Sequence, residues 1–241
     1  HADWVNACAL SRDGRRMISG DDSGLAILWD LPARREIRRW TGQSPNGVVS
    51  VALSSDGATA FVAEHRMSRG SFDRPPAQAK LFATDTGEML LDLLVVKFPD
   101  VKARDNSYGY GTTWQKWVGN GFVAAEFSPD GKILALAQGG EIGDAQVRLV
   151  DTTTGEEIRS VSKHQYGVCD LCFTADGKHL LTSGRDTSLK VIEVASGKDI
   201  ATLGKPRGGQ FKDWFSAIAL SPSENRVAAA DIAGIVHVWN L

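Results

Sequence analysis

Ser11-Arg12-Asp13-Gly14 separates two short apolar runs, Val5 to Leu10 and Met17 to Gly20, and the arrangement returns along the chain. Ser54-Ser55-Asp56-Gly57, Ser128-Pro129-Asp130-Gly131 and Thr174-Ala175-Asp176-Gly177 repeat it, and Ser221-Pro222-Ser223-Glu224 is a degraded fifth copy. The Asp side chain bonds the backbone ahead of it, and Gly takes the positive φ that closes a hairpin, so the runs on either side pair antiparallel. A period of roughly 40 to 47 residues identifies stacked supersecondary units, in which most residues serve the scaffold.

Each unit reads as four strands, here a to d. In the first these are Val5 to Leu10, Met17 to Gly20, Leu25 to Asp30 and Glu36 to Trp40. A second turn signature leads from c to d: Thr84-Asp85-Thr86-Gly87-Glu88, Thr152-Thr153-Thr154-Gly155-Glu156 and Ala195-Ser196-Gly197-Lys198. No run of ten or more residues has helical periodicity with caps, so the chain is expected to be all-β. Repeated four-stranded units favour a β-propeller of antiparallel blades over a sandwich or barrel. The units are expected at roughly 1–41, 42–96, 118–162, 163–204 and 211–241, with an insertion at 97–117.

Composition narrows the function classes. With 42% hydrophobic and 23% charged residues the 241-residue chain is an ordinary globular one. Its 27 basic and 29 acidic residues give no global pull toward nucleic acid or an anionic membrane. No apolar run reaches the roughly 18 residues that span a bilayer. Three cysteines are too few for a disulfide framework. Cys169 and Cys172 lie on one expected strand, where residues three apart face opposite sides, so Cys-x-x-Cys here is structural. The compartment stays open, with the cytoplasm favoured over export.

Leu28-Trp29-Asp30, Val238-Trp239-Asn240 and His1-Ala2-Asp3-Trp4-Val5 resemble the Trp-Asp and Gly-His marks of the WD-repeat (WD40) family, and the likeness runs over essentially the whole chain. The resemblance implies that a blade is braced by a His before strand a, a Ser or Thr in b, an Asp in the b–c turn and a Trp in c. Carried over, it assigns His1, Ser19 and Trp29 to the first unit, where Ser23 stands at the Asp position with Asp22 beside it. It assigns His164, Thr182 and Asp186 to the fourth, where Ile192 replaces Trp, and Trp239 to the fifth. The second unit (Gln43, Val62, Phe82) keeps none of the four, and the third keeps Asp144. His237 is read as a packed or edge residue. The Asp-Gly-Lys and Thr-Gly-Glu turns resemble those of bacterial WD proteins. With five abc sets and four d strands, the chain is expected to be part of a larger ring of about seven blades.

In such a propeller the a–b and c–d turns lie on one face and the b–c and d–a connections on the other. Every long insertion falls in the second set: Glu64 to Pro76, Lys97 to Gly121, Gln138 to Ala145 and Gly204 to Trp214. These hold ten basic and seven acidic residues together with eight aromatics, in a chain whose net charge is −2. Arg, Tyr and Trp combine large buried area with directional polar contacts and dominate binding hot spots. Arg66, Arg69, Arg74, Tyr108, Tyr110, Trp114, Trp117, Lys205 and Arg207 are therefore the partner-binding candidates. Ser107 to Trp114 lacks a phosphate-loop pattern and does not open a helix, so no nucleotide or other cofactor is expected. The expectation is a non-catalytic scaffold for a protein or peptide, without nucleic acid, catalytic residues or metal. The alternatives are an enzyme with its site at the central channel, for which His65 beside Glu64 is the thin basis, and a sensor domain fused to a catalytic one.

Overall fold

A computed structural model describes residues 1–42, 47–65, 78–93, 122–138, 144–165, 167–205, 214–221 and 225–241. The chain forms two compact units, His1–Phe122 and Val123–Leu241. In the first, β1 (Val5–Leu10), β2 (Arg16–Asp21), β3 (Leu25–Asp30) and β4 (Arg35–Thr41) make one sheet in chain order. β5 (Gly47–Leu53), β6 (Thr59–His65), β7 (Ala79–Ala83) and β8 (Met89–Asp92) make a second. The second unit continues with the sheet of β9 (Phe122–Phe127), β10 (Ile133–Gln138), β11 (Asp144–Asp151) and β12 (Glu157–Gln165). Next comes the sheet of β13 (Val168–Phe173), β14 (His179–Gly184), β15 (Ser188–Glu193) and β16 (Asp199–Gly204). A last sheet holds β17 (Phe215–Leu220), β18 (Arg226–Asp231) and β19 (Val236–Asn240). The fold is all-β, and each sheet is a propeller blade, numbered one to five below.

The Ser-x-Asp-Gly echo builds the same hairpin each time. Ser11 Oγ donates to Asp13 Oδ1 at 2.7 Å and accepts from Arg16 N at 2.9 Å, while Gly14 takes φ 67°. Asp56, Asp130 and Asp176 accept from Ser54, Ser128 and Thr174 in the same way. In all four turns the hydroxyl donor first, then the backbone N–H two residues on, holds the carboxyl below its ordinary pKa. The a–b pairing carries a bulge at one place in blades one, two, four and five: Val5/Ala7, Val48/Ser50, Val168/Asp170 and Phe215/Ala217. Bulges increase the local twist, which gives the blades a common shape.

Burial follows strand position. The middle strand β14 of blade four, which packs between blades three and five, is continuously buried from Leu180 to Gly184, whereas the outermost β16 is mostly exposed. Strands covered on both faces need apolar runs and not alternation. Blades one and two pack through Ile18, Leu28, Val48, Val51, Leu53 and Val62. Gly20 is required at this seam, because a Cβ there would lie 2.2 Å from Val48 Cγ1. In the second unit Val147, Leu149, Leu171, Leu180 and Ile192 fill the space between blades three and four, and Leu181, Leu189, Phe215 and Val227 that between four and five.

Candidate interaction surfaces and the blade braces

The hydroxyl of Ser19 on β2 faces two rings. His1 Nε2 lies 2.6 Å from Ser19 Oγ, and Trp29 Nε1 donates to the same oxygen at 2.8 Å. His1 Nδ1 lies 2.6 Å from Asp21 Oδ2. A carboxylate only accepts, so Nδ1 donates to Asp21 and Nε2 takes the Ser19 hydroxyl proton. The carboxylate is that of Asp21 at the end of β2, not of a residue at the Ser23 position. Asp21 Oδ1 meanwhile accepts from Ser23 N, Ser23 Oγ and Leu25 N, so one buried side chain orients the histidine and closes the b–c turn.

Blade four builds the same network from different positions. His164, fully buried at the end of β12, meets Thr182 Oγ1 at 2.9 Å and Asp186 Oδ1 at 3.0 Å. Asp186 also accepts from Ser188 Oγ at 2.7 Å, Ser188 N and Gln165 N. Burial pushes its pKa up, but His164, Ser188 and Gln165 outweigh this and hold it below the ordinary carboxylate value. The network fastens the last strand of blade three to blade four. At the Trp position Ile192 is buried among apolar side chains.

Blade five has a third version. His237 on β19 places Nε2 3.0 Å from Asp231 Oδ2 and stacks on Trp239, with Phe215 edge-on to both rings. Asp231 ends β18 as Asp21 ends β2, and its Oδ1 accepts from Ile235 N. Its pKa is lowered, first by His237 and then by that N–H. The sequence signal is an Asp three residues before the turn glycine, in Asp21-Asp22-Ser23-Gly24 and Asp231-Ile232-Ala233-Gly234.

Two half-buried acids of the inner strands carry no signal in the sequence. Glu126 Oε2 on β9 accepts from Phe173 N at 2.7 Å, and Asp170 Oδ2 on β13 accepts from Ile218 N at 2.8 Å. Asp170 Oδ1 takes the Leu171 N–H. Each carboxylate thus caps backbone donors on an inner strand, which blunts a sheet edge. Desolvation pushes Glu126 up to about 7, against the pull of the Phe173 N–H and with Asp170 adding to it. Burial also raises Asp170, pushes Cys169 up to about 11 and raises Cys172. Neither thiol is poised for redox chemistry.

Of the partner-binding candidates, Arg66, Arg69, Arg74, Tyr108, Tyr110, Trp114, Trp117 and Arg207 lie outside the described residues. Lys205 is exposed after β16, and its carbonyl accepts from Thr187 Oγ1 at 2.7 Å. On the same side of blades four and five the Arg185 guanidinium sits 5.0 Å from the centroid of the Trp214 ring. Among the described residues there is no group of three or more His, Cys, Asp or Glu placed to hold a metal, and no helix long and apolar enough to cross a membrane.

Four-stranded antiparallel blades fastened through His, hydroxyl and carboxylate resemble those of WD-repeat propellers. The family model described as WD domain, G-beta repeat matches residues 1–30 and 155–193, the two stretches in which the histidine network joins a b-strand hydroxyl. Over these two stretches the chain is similar to the WD repeat. It is similar to Autophagy-related protein 16 of Arabidopsis thaliana, 26% identical over 233 residues, covering 97% of this chain and 38% of that protein. WD repeat-containing protein 1 of Xenopus tropicalis is 27% identical over 229 residues, covering 84% of this chain and 36% of that protein. The WD repeat-containing protein 55 homolog of Drosophila melanogaster is 31% identical over 115 residues, 48% of this chain and 22% of that protein. The chain therefore spans under two-fifths of the length of these relatives, which come from a plant, an amphibian and an insect.

Proposed function

We propose that the chain is a non-catalytic scaffold that holds a protein or peptide segment on the face formed by its b–c and d–a connections. The observation that carries this reading is the asymmetry of the two faces. The a–b and c–d turns are short and pinned by their own hydrogen bonds, whereas every long insertion joins strands across the other face. Variable loops on a rigid support are the usual seat of recognition. The described corner of that face presents Arg185 against Trp214, with Lys205 exposed beside it in sequence order after β16. Arg66, Arg69, Arg74, Tyr108, Tyr110, Trp114, Trp117 and Arg207 complete the surface in this reading.

Further blades or fused domains belong to the same proposal. Trp4, Val5 and Leu10 of blade one and Val236 and Val238 of blade five are more than half exposed, and such apolar faces suit a neighbouring blade. The bacterial cast of the turns is kept as part of this reading, beside relatives from eukaryotes. The test is capture of a partner on the immobilised chain, followed by Arg69→Ala, Trp114→Ala and Arg207→Ala. Weakened binding supports the loop face, and unchanged binding moves the site elsewhere. Turnover in a generic esterase screen, abolished by His65→Ala, would replace the scaffold by an enzyme.

A further inference from the structure

Blade one departs from its sister blades in one respect: its tight-turn face is built of arginine. Three of these arginines serve the scaffold. Arg16 donates to Gly57 O and Thr84 Oγ1, Arg38 to the carbonyls of Thr84 and Asp85, and Arg39 forms a two-pronged pair with Glu36. Arg12, Arg15, Arg34 and Arg35 are exposed, and among the described residues the one ion pair they make is a long contact of 3.8 Å from Arg35 to Asp30.

The repeat shows what the scaffold needs at these places. The residue after the first turn glycine is Arg15 here, but Ala58, Lys132 and Lys178 in blades two to four. The residue that follows the left-handed position of the c–d turn is Arg35, against Glu88, Glu156 and Lys198. Before it, Gly87, Gly155 and Gly197 take φ of 78°, 75° and 74°, while blade one holds Arg34 in the same left-handed conformation at φ 52°. A long side chain is strained there, and the turn is made at lower cost by glycine in every other four-stranded blade. Strain kept where the fold does not require it points to a use for the side chain.

Arg15 and Arg35 line a cleft of about 430 Å³ that has Ile37 at one wall and reaches Asp56 of blade two. The cleft also contains three carboxylates: Asp13 and Asp56 are the turn acids that blades three and four repeat as Asp130 and Asp176, and Asp30 accepts from Ala33 N and lies 3.8 Å from Arg35. We propose that this cleft docks an acidic peptide segment, whose carboxylate or phosphate side chains are gripped by the Arg15 and Arg35 guanidinium forks, with Arg12 and Arg34 flanking. Guanidinium matches such groups with two parallel hydrogen bonds, which Lys178 and Lys198 cannot do in blade four. The interleaved Asp side chains oppose a continuous polyphosphate and leave room for discrete anions on a peptide. The surface lies on the opposite face from the loops of the proposed function and does not depend on that reading.

The test uses the whole 241-residue chain and two fluorescein-labelled ten-residue peptides, one rich in Glu and one carrying phosphoserine, read by anisotropy at near-physiological salt. Saturable binding of at least one peptide is expected. Arg15→Glu with Arg35→Glu should weaken it by roughly tenfold or more, the loss that charge-assisted hydrogen bonds imply. The position-matched pair Lys178→Glu with Lys198→Glu should leave it within about twofold, since those lysines sit on another blade. Arg34→Gly should melt higher than the parent and bind more weakly, a combination that a merely structural arginine would not give. The proposal is overturned by equal losses in the two double variants, by absence of saturable binding, or by an RNA oligomer or phosphatidylserine vesicles competing better than either peptide. Unchanged binding in Arg34→Gly and in the Arg15/Arg35 variant, both with native circular dichroism, overturns it as well.

Discussion

Replacing His164 by Ala removes a side chain that reaches both Thr182 and Asp186 from the preceding blade. Two hydrogen bonds of 2.9 and 3.0 Å are lost inside a fully buried site. Each is worth about 1 kcal/mol net, and buried polar atoms left with fewer partners add about 1 to 2 kcal/mol more. Asp186 keeps Ser188 Oγ, Ser188 N and Gln165 N, so the cost stays below that of a stranded buried charge. The sum is about 2 to 4 kcal/mol, which in a domain of this size lowers Tm by about 5 to 12 °C. Urea unfolding and differential scanning fluorimetry measure it, and a cycle with Asp186→Asn should return a coupling of at least about 1 kcal/mol. The lowered pKa of Asp186 adds a pH signature. Its contribution is present above the unfolded carboxylate value of about 4 and is lost as pH falls through the folded value, so the His164 variant should lose less stability in acid than the parent. A destabilisation under about 0.5 kcal/mol, or a coupling near zero, would refute the view that this network fastens blade three to blade four.

Glu126→Gln tests the inner-strand acids. The folded pKa of Glu126 is raised to about 7, so the parent binds more protons folded than unfolded and loses stability as pH rises from about 4.5 to 7. The variant should therefore gain up to about 3 kcal/mol over the parent at pH 8 and little at pH 4, read as the difference in Tm. Gly184→Ala should be severely destabilising, because the new Cβ would lie 2.3 Å from His164 Nδ1 in a ring already held at both nitrogens. A loss of about 1 to 3 kcal/mol or more in urea unfolding is expected of such overpacking. Iodoacetamide under native conditions should label exposed Cys8 first, with Cys169 and Cys172 protected by burial and raised pKa, as peptide mass mapping would show.

The turns were the most legible part of the chain. Ser-x-Asp-Gly specifies its own hydrogen bonds within six residues, so the hairpin at Ser11 follows from local chemistry alone, and its recurrence defines the blades. The braces were legible in part. His164, Thr182 and Asp186 come together at the spacing the family pattern implies. In blade one, by contrast, the carboxylate comes from Asp21 two residues earlier, because a side chain at the strand end can close the turn with one oxygen and orient the ring with the other. His237, expected as a packed or edge residue, stacks on Trp239 in the edge strand β19, and its position opposite Ala229 also lets it reach Asp231, a pairing that only the register reveals. Glu126 and Asp170 could not be read at all, since their partners are backbone N–H groups of another blade and leave no mark in the sequence. The left-handed φ of Arg34 leaves no mark in the sequence and gains meaning only beside Gly87, Gly155 and Gly197.

The scaffold reading is tested most directly by one binding measurement on a partner recovered with the immobilised chain and then purified. Surface plasmon resonance would compare the parent, the Arg69→Ala/Trp114→Ala/Arg207→Ala variant and the Arg15→Glu/Arg35→Glu variant. A partner held by the loop face should lose roughly tenfold or more in affinity with the first variant, at a Tm within about 2 °C of the parent, and little with the second. Affinity unchanged in the loop variant would contradict the assignment of that face.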